Sequence, residues 1–396
     1  MLSNLWRFLV ALCDLRALAR LLTGHAAVDV VFITNLRDEA ERQRFFQGWV
    51  PPAGHAAGPR IYLKGVAARV RGIYVTAEEM MTSAGRRKAR EQFIAATEWA
   101  EHKGARVILL AASTKRLFGR DARELKARFP KLLFTIGDNG TAQMLVADIF
   151  ASLHAAGLTH SARLLVIGPY GILGDCVCRE LLRAGFEVLG YGANKPALAE
   201  TATRHGILVD HELANLGRVD AVIACTHSTA AKLTPAQVEQ LRRPGRKLLV
   251  VDVAEPANLD IEAYQQCRAQ VVRQDAGNAY APTLHYVLGS LSWRLLMLSR
   301  GVVFGCFAEA MSLYHAIYRH GEVDLLEQDW FQVNDSLRAR VARTLDNIGF
   351  RPPAPRCFGE AVSDFALDLP RAQAEATGIS TEKQLPLPGS ECMASR

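Results

Sequence analysis

The chain has 396 residues, too long for one small core and in the range of two or three domains. Apolar residues make up 49% and charged residues 22%, which excludes wholesale disorder, collagen-like repeats and coiled coil. Lys and Arg outnumber Asp and Glu by 47 to 40, a net +7 that suits acidic partners. The basic residues are scattered apart from Arg86, Arg87, Lys88 and Arg90, and no zinc-finger or RNP-type motif accompanies them. Nucleic acid is therefore not an expected partner.

Residues 1–25 read as an amphipathic helix around Trp6-Arg7-Phe8-Leu9-Val10, too short and interrupted to span a bilayer. An ordinary packed helix is the plain reading, and a peripheral membrane contact the functional one. Residues 28–35 read as a buried strand, 48–60 as a Pro/Gly/Ala-rich loop, and 61–76 as extended. A helix follows over about 85–103, then strands at 107–110 and 132–135, and a connecting helix over 141–156. This alternation predicts an α/β substrate domain over 26–150.

The next stretch, 151–283, opens on the short strand Arg163–Ile167. Gly168-Pro169-Tyr170-Gly171-Ile172-Leu173-Gly174 then leads into a helix. A pyrophosphate needs bare backbone N–H groups at a helix start, and glycines leave the room. This GxxGxxG in a strand–turn–helix context predicts a doubly wound, Rossmann-like nucleotide-binding domain. After the second strand comes Leu189-Gly190-Tyr191-Gly192-Ala193-Asn194-Lys195. No acid is present there to hold a ribose 2′-hydroxyl, and Lys195 suits a 2′-phosphate, so NADPH is expected over NADH. Cys225-Thr226-His227-Ser228 follows a later strand, which makes Thr226 a cofactor neighbour and His227 a candidate proton donor.

Residues 284–352 read as a helical, apolar region, strongly so over 284–318, and 353–396 as a flexible tail. The eight cysteines form neither a zinc pattern nor a secreted disulfide framework. Cys176-x-Cys178 faces two sides of a helix and makes a poor metal clamp, so no metal is expected. Reduced thiols point to a cytoplasmic protein, with membrane association only if residues 1–25 supply it. Taken alone, Cys306 between Phe residues reads as core filler.

The run Val303-Phe304-Gly305-Cys306-Phe307-Ala308-Glu309-Ala310-Met311 resembles the signature of the long-chain fatty acyl-(acyl-carrier-protein) reductases of cyanobacteria. Arg71–Val75, Phe134–Ala142, the glycine spacing at 168–174 and Gly349-Phe350-x-Pro352 are similar in order and spacing. The stretch Asp252–Asn258 departs from the family, which tends to carry glycines before its proline. The resemblance covers roughly residues 60–353. It implies NADPH-dependent reduction of an acyl thioester, from acyl-carrier protein or acyl-CoA, to a fatty aldehyde. It also implies that Cys306 takes the acyl group as a thioester. A second reading is an alcohol or ketone oxidoreductase of the shikimate-dehydrogenase type, with Lys115 and Asp138 handling a hydroxyl proton. A third is a non-catalytic NADPH-binding protein.

Overall fold

The computed structural model describes residues 14–119, 121–226, 228–287 and 298–369. The first unit runs α1 (Leu15–Leu22), β1 (Val30–Leu36), α2 (Glu39–Phe46), β2 (His55–Leu63) and β3 (Val66–Thr76). It continues through α3 (Ser83–His102), β4 (Val107–Leu110), α4 (Arg123–Arg128), β5 (Leu133–Thr135) and α5 (Asp138–Ala155). The second unit alternates β6 (Arg163–Ile167), α6 (Ile172–Arg183), β7 (Glu187–Tyr191), α7 (Lys195–His205) and β8 (Leu208–Asp210). Its second half is β9 (Ala221–Ala224), α8 (Pro235–Leu241), β10 (Leu248–Asp252), α9 (Ile261–Cys267) and β11 (Val271–Asp275). The chain then forms β12 (Asn278–Tyr280), β13 (His285–Tyr286), β14 (Val302–Phe304), α10 (Gly305–His320), α11 (Asp335–Ile348), β15 (Arg356–Cys357) and β16 (Glu360–Ala361).

The second unit is a fully parallel sheet in the order β11-β10-β9-β6-β7-β8. Strand order reverses between β6 and β9, so a crevice opens at their carboxyl ends. The first sheet has the order β13-β2-β3-β1-β4-β5. Its strands β3, β1, β4 and β5 are parallel, and β2 runs antiparallel to both of its neighbours, β3 and β13. Both faces of this sheet are covered, which is why β1 reads as continuously apolar. Val31 and Ile33 pack with Phe93 and Ala96 of α3 on one face. Val30 and Phe32 pack with Phe307, Met311 and Leu345 of α10 and α11 on the other. Residues 305–348 are thus the second helical layer on the first sheet. Helix α5 serves both units: Met144 lies in the first core, and Leu145, Ile149 and Leu153 lie in the nucleotide-type core.

Several elements differ from the sequence reading. Strand β2 begins inside the expected loop 48–60, because its register shifts between Ala57 and Arg60 and leaves Gly58-Pro59 in a bulge that needs no proline N–H. The region 284–318 is not one helix. Among the described residues it opens with strands β13 and β14, the latter using β-branched Val302-Val303 to pair with Asn278–Tyr280. The expected tail is anchored as far as residue 369. Phe365 and Leu367 are buried beside β6 and β10, and Lys247 N–H bonds Leu367 O at 2.5 Å. Residues 370–396 and 1–13 lie outside the described residues. Of the helix expected over 1–25, the run Trp6–Val10 lies outside the described residues, and within α1 itself no residue is buried. It is held by polar contacts: Asp14 to Arg60 at 2.8 Å, and Arg20 to Asp29 at 2.7 Å. No helix among the described residues is long and apolar enough to cross a membrane.

The ring of Phe307 stacks on Phe32 at 4.0 Å, joining α10 to the first sheet. Phe307→Ala is expected to cost about 3–5 kcal/mol, through lost burial plus the cavity left behind. Urea unfolding of the variant against the wild type measures it.

Candidate active site

Strand β6 ends in a turn in which Gly168 and Gly174 are needed for space. Gly168 has φ +78, and a Cβ there would lie 2.8 Å from Thr226 Cβ. A Cβ at Gly174 would lie 2.1 Å from Gly168 O, so only glycine lets the first turn of α6 sit flush on the strand end. Gly171 is the N-cap and offers no side chain to the helix start. The N–H groups of that turn are left for an anion. Ile172 is exposed beside them, and the ring of Tyr170 folds over Gly192, where a Cβ would meet it at 2.5 Å. Asn194 caps α7 by accepting from Ala197 N–H at 3.1 Å, and Lys195 is exposed at the first helical position.

A second constellation forms where α5 and α10 start side by side. Gly137 has φ +72, and a Cβ there would fall 2.3 Å from Cys306 Cβ. A Cβ at Gly140 would fall 2.6 Å from Gly305 O, and one at Gly305 would fall 2.5 Å from Gly277 O. These bare positions let two helix N-termini interlock. The packing puts Asp138, the first residue of α5, next to Cys306 in the first turn of α10. Lys115, from the 3-10 turn Ala112–Arg116 after β4, forms an ion pair with Asp138. Its side chain is 26% exposed and that of Asp138 is 6% exposed.

Glu309, one helical turn beyond Cys306, is fully buried. It accepts hydrogen bonds from the Thr135 hydroxyl and from Gly140 N–H, the latter at 2.6 Å. Burial pushes its carboxyl up to about 7, against the pull of those two donors. Burial likewise pushes the Cys306 thiol up to about 11; Lys115 opposes this, while Asp138 and Glu309 add to it. Burial works most strongly to lower the Lys115 ammonium, but Asp138, Cys306 and Glu309 together outweigh it and hold Lys115 above its usual range. Cys225, also near the glycine turn, is held well above the normal thiol range by burial.

One cleft of about 2170 Å³ runs between the two units. Its lining includes Gly168, Tyr170, Gly171, Ile172, Leu173 and Thr226 at one end, and Lys115, Asp138 and Cys306 further in. The lining also includes the apolar residues Val70, Val302, Phe304 and Phe307, together with Arg60 and Arg69. Asn194 and Lys195 stand outside the lining, on the surface at the end of β7, and His227 lies outside the described residues. Asp252 braces the cleft wall at the end of β10. It accepts from Asn258 N–H at 2.9 Å and from Arg273 at 2.9 Å, fixing the loop between. Among the described residues no group of three or more His, Cys, Asp or Glu could hold a metal ion.

Sequence reasoning passed over Thr135, Gly137, Gly140 and Gly277, and treated Glu309 only as a thiol neighbour. The available signals were the spacing Gly137-x-x-Gly140 and a lone acid inside an apolar helical stretch.

No family model matches the chain, and no curated protein matches it. Among solved structures, one of the dipicolinate synthase polypeptides of Bacillus halodurans is similar at 17% identity, over 42% of this chain and 57% of that one, with a TM-score of 0.30. The chain therefore spans little more than half of that protein's length. L-tryptophan dehydrogenase from Nostoc punctiforme is similar at 10% identity, over 81% of this chain and 89% of that one, with a TM-score of 0.37. A shikimate 5-dehydrogenase-like protein is similar at 12% identity, over 81% of this chain and 98% of that one, with a TM-score of 0.33. Likenesses at this level say nothing of chemistry, which rests on the site itself.

Glu309 offers a test of the buried cluster. Its carboxyl is raised in the folded chain from 4.5 to about 7. The folded state therefore holds the proton more tightly than the unfolded one, and stability from this group is lost as pH rises through that window. Glu309→Gln has no such titration. Relative to the wild type, the variant is expected to gain about 3 kcal/mol between about pH 4 and about pH 8 in urea unfolding.

Proposed function

We propose that the chain is an NADPH-dependent oxidoreductase that reduces an acyl thioester to an aldehyde through an acyl-enzyme on Cys306. The observation that carries this reading is the single cleft lined both by the uncapped start of α6 and by Cys306, with apolar Val70, Val302, Phe304 and Phe307 in the same lining. The residues present fit a dinucleotide. The bare turn Gly168–Gly174 would hold a pyrophosphate on the first N–H groups of α6, between Tyr170 and Thr226. Asn194 and Lys195, at the start of α7, would meet a 2′-phosphate. NADPH bound there would supply a hydride.

The chain's own residues supply the rest. Cys306 Sγ attacks the thioester carbonyl, and the carrier thiol leaves. The start of α10 favours negative charge on that sulfur, although burial opposes it. The apolar residues Val70, Val302, Phe304 and Phe307 of the lining would contact an acyl chain and help keep water from the acyl-enzyme. Arg37, Arg44 and Arg116 on the cleft wall suit the phosphates of coenzyme A or an acidic acyl-carrier protein.

One observation favours a second reading. The Lys115–Asp138 pair lines the same cleft, as a dehydrogenase acting on a hydroxyl would require.

Intact-protein mass spectrometry with acyl-CoA or acyl-carrier protein, without NADPH, separates the two. A hydroxylamine-labile acyl adduct that vanishes in Cys306→Ala is expected. Full turnover in Cys306→Ser, together with none in Lys115→Ala, would overturn the thioester reading in favour of the second. Gly174→Val is expected to abolish the NADPH fluorescence change on binding, since its side chain would meet Gly168 O.

A further inference from the structure

We propose that Lys115, kept cationic by Asp138, is the counter-cation of Cys306: it stabilises the attacking thiolate and then the oxyanion formed on the attacked carbonyl. This deepens the thioester reading above and rests on it.

The geometry points to this role from three sides. Three chain segments meet at one spot: the turn after β4 brings Lys115, the start of α5 brings Asp138, and the start of α10 brings Cys306. Gly137, immediately before Asp138, touches Cys306 so closely that no Cβ fits between them. All three functional side chains line the same cleft.

The charges facing Cys306 leave one group for the task. Asp138 and Glu309 both disfavour its thiolate, and burial does so more strongly than either. Among the described residues, Lys115 is the cation that acts on the sulfur in the other direction. A thiol buried against two carboxylates would otherwise stay protonated and unreactive. A simple structural pair explains less, because a buried ion pair is a poor stabiliser relative to apolar packing and has no need to face a ligand cleft.

The acyl-transfer step balances with these groups alone. The Cys306 thiol gives its proton to solvent, and the thiolate stands beside the Lys115 ammonium. A bond forms from Sγ to the carbonyl carbon, and the carbonyl electron pair moves onto oxygen, where the ammonium again meets negative charge. The oxyanion collapses and the bond to the carrier sulfur breaks. The carrier leaves as a thiolate that takes a proton from solvent.

The test uses the full chain and iodoacetamide, with alkylation read on the Cys306 peptide so that other thiols do not count. Lys115→Met is expected to slow alkylation about tenfold near neutral pH and to move the pH profile upward by about one unit. Lys115→Arg is expected to stay within about threefold of the wild type, since the charge remains. Lys115→Met combined with Asp138→Asn leaves no carboxylate stranded, so it keeps the test open if the single variant fails to fold. It is expected to slow alkylation by less, because Asp138 itself opposes the thiolate. A wild-type profile in the folded Lys115→Met chain, or in the double variant where the single one does not fold, overturns the inference. Palmitoyl-CoA without NADPH, offered to the same proteins, keeps the two questions apart. Lys115-dependent alkylation without any acyl adduct sinks the thioester reading and leaves the counter-cation standing. Rapid acylation in Lys115→Met sinks the counter-cation alone.

Discussion

The interlocking of two helix starts is the constraint on which the site depends. Helices α5 and α10 approach until backbone meets backbone, and Gly137, Gly140 and Gly305 are the positions where a Cβ would strike the neighbouring chain. Everything chemical in the cleft follows from that approach. It places Asp138 beside Cys306 on the cleft wall and lets Glu309 reach back to Gly140 N–H. Because α5 also contributes to the nucleotide-type core, the thiol is held in register with the turn at Gly168 by one rigid element. A larger residue at Gly137 would meet both its left-handed backbone and the Cys306 Cβ.

The electrostatics of this junction set opposing demands. Glu309 is buried without a cation bonded to it, held by two neutral donors, and its raised pKa shows what that burial costs. Asp138 is satisfied by Lys115, and Cys306 feels all three groups. Burial makes each charge harder to form, and it also makes each interaction between charges stronger once formed. The start of α10 adds a partial positive charge near the sulfur. The site is therefore poised for a negative charge that arrives with the reaction and is not held at rest.

Much of this was legible in the sequence where local chemistry decides. The strand before Gly168, its glycine spacing and the alternation of strands and helices set out the second sheet, because such signals depend on near neighbours. Other features came from tertiary contact. Residues 353–369 look like a tail in composition, yet Phe365 and Leu367 find a groove on the nucleotide-type core. Strand β14 hid inside an apolar run because its partner, β12, is the only thing that distinguishes it from a helix. Helix α1 has the pattern of a packed helix, but Asp14 and Arg20 dock it by its polar side and leave Leu15, Leu18 and Leu22 exposed. The pairing of Lys115 with Asp138 was open to suspicion in sequence, whereas their meeting with Cys306 required the fold.

That meeting bears on which chemistry the cleft performs. To take a proton from a hydroxyl, Lys115 must first be neutral. To steady a thiolate or an oxyanion, it must be charged. Burial alone would favour the neutral amine, but Asp138, with Cys306 and Glu309, overrides it and holds the ammonium above its usual range. The environment built around Lys115 therefore preserves a cation in the cleft that the sulfur at the start of α10 also lines. The apolar residues Val70, Val302, Phe304 and Phe307 in the same lining suit the acyl chain of the proposed reaction. The same two residues that first suggest a dehydrogenase dyad therefore suit the proposed cysteine chemistry as well.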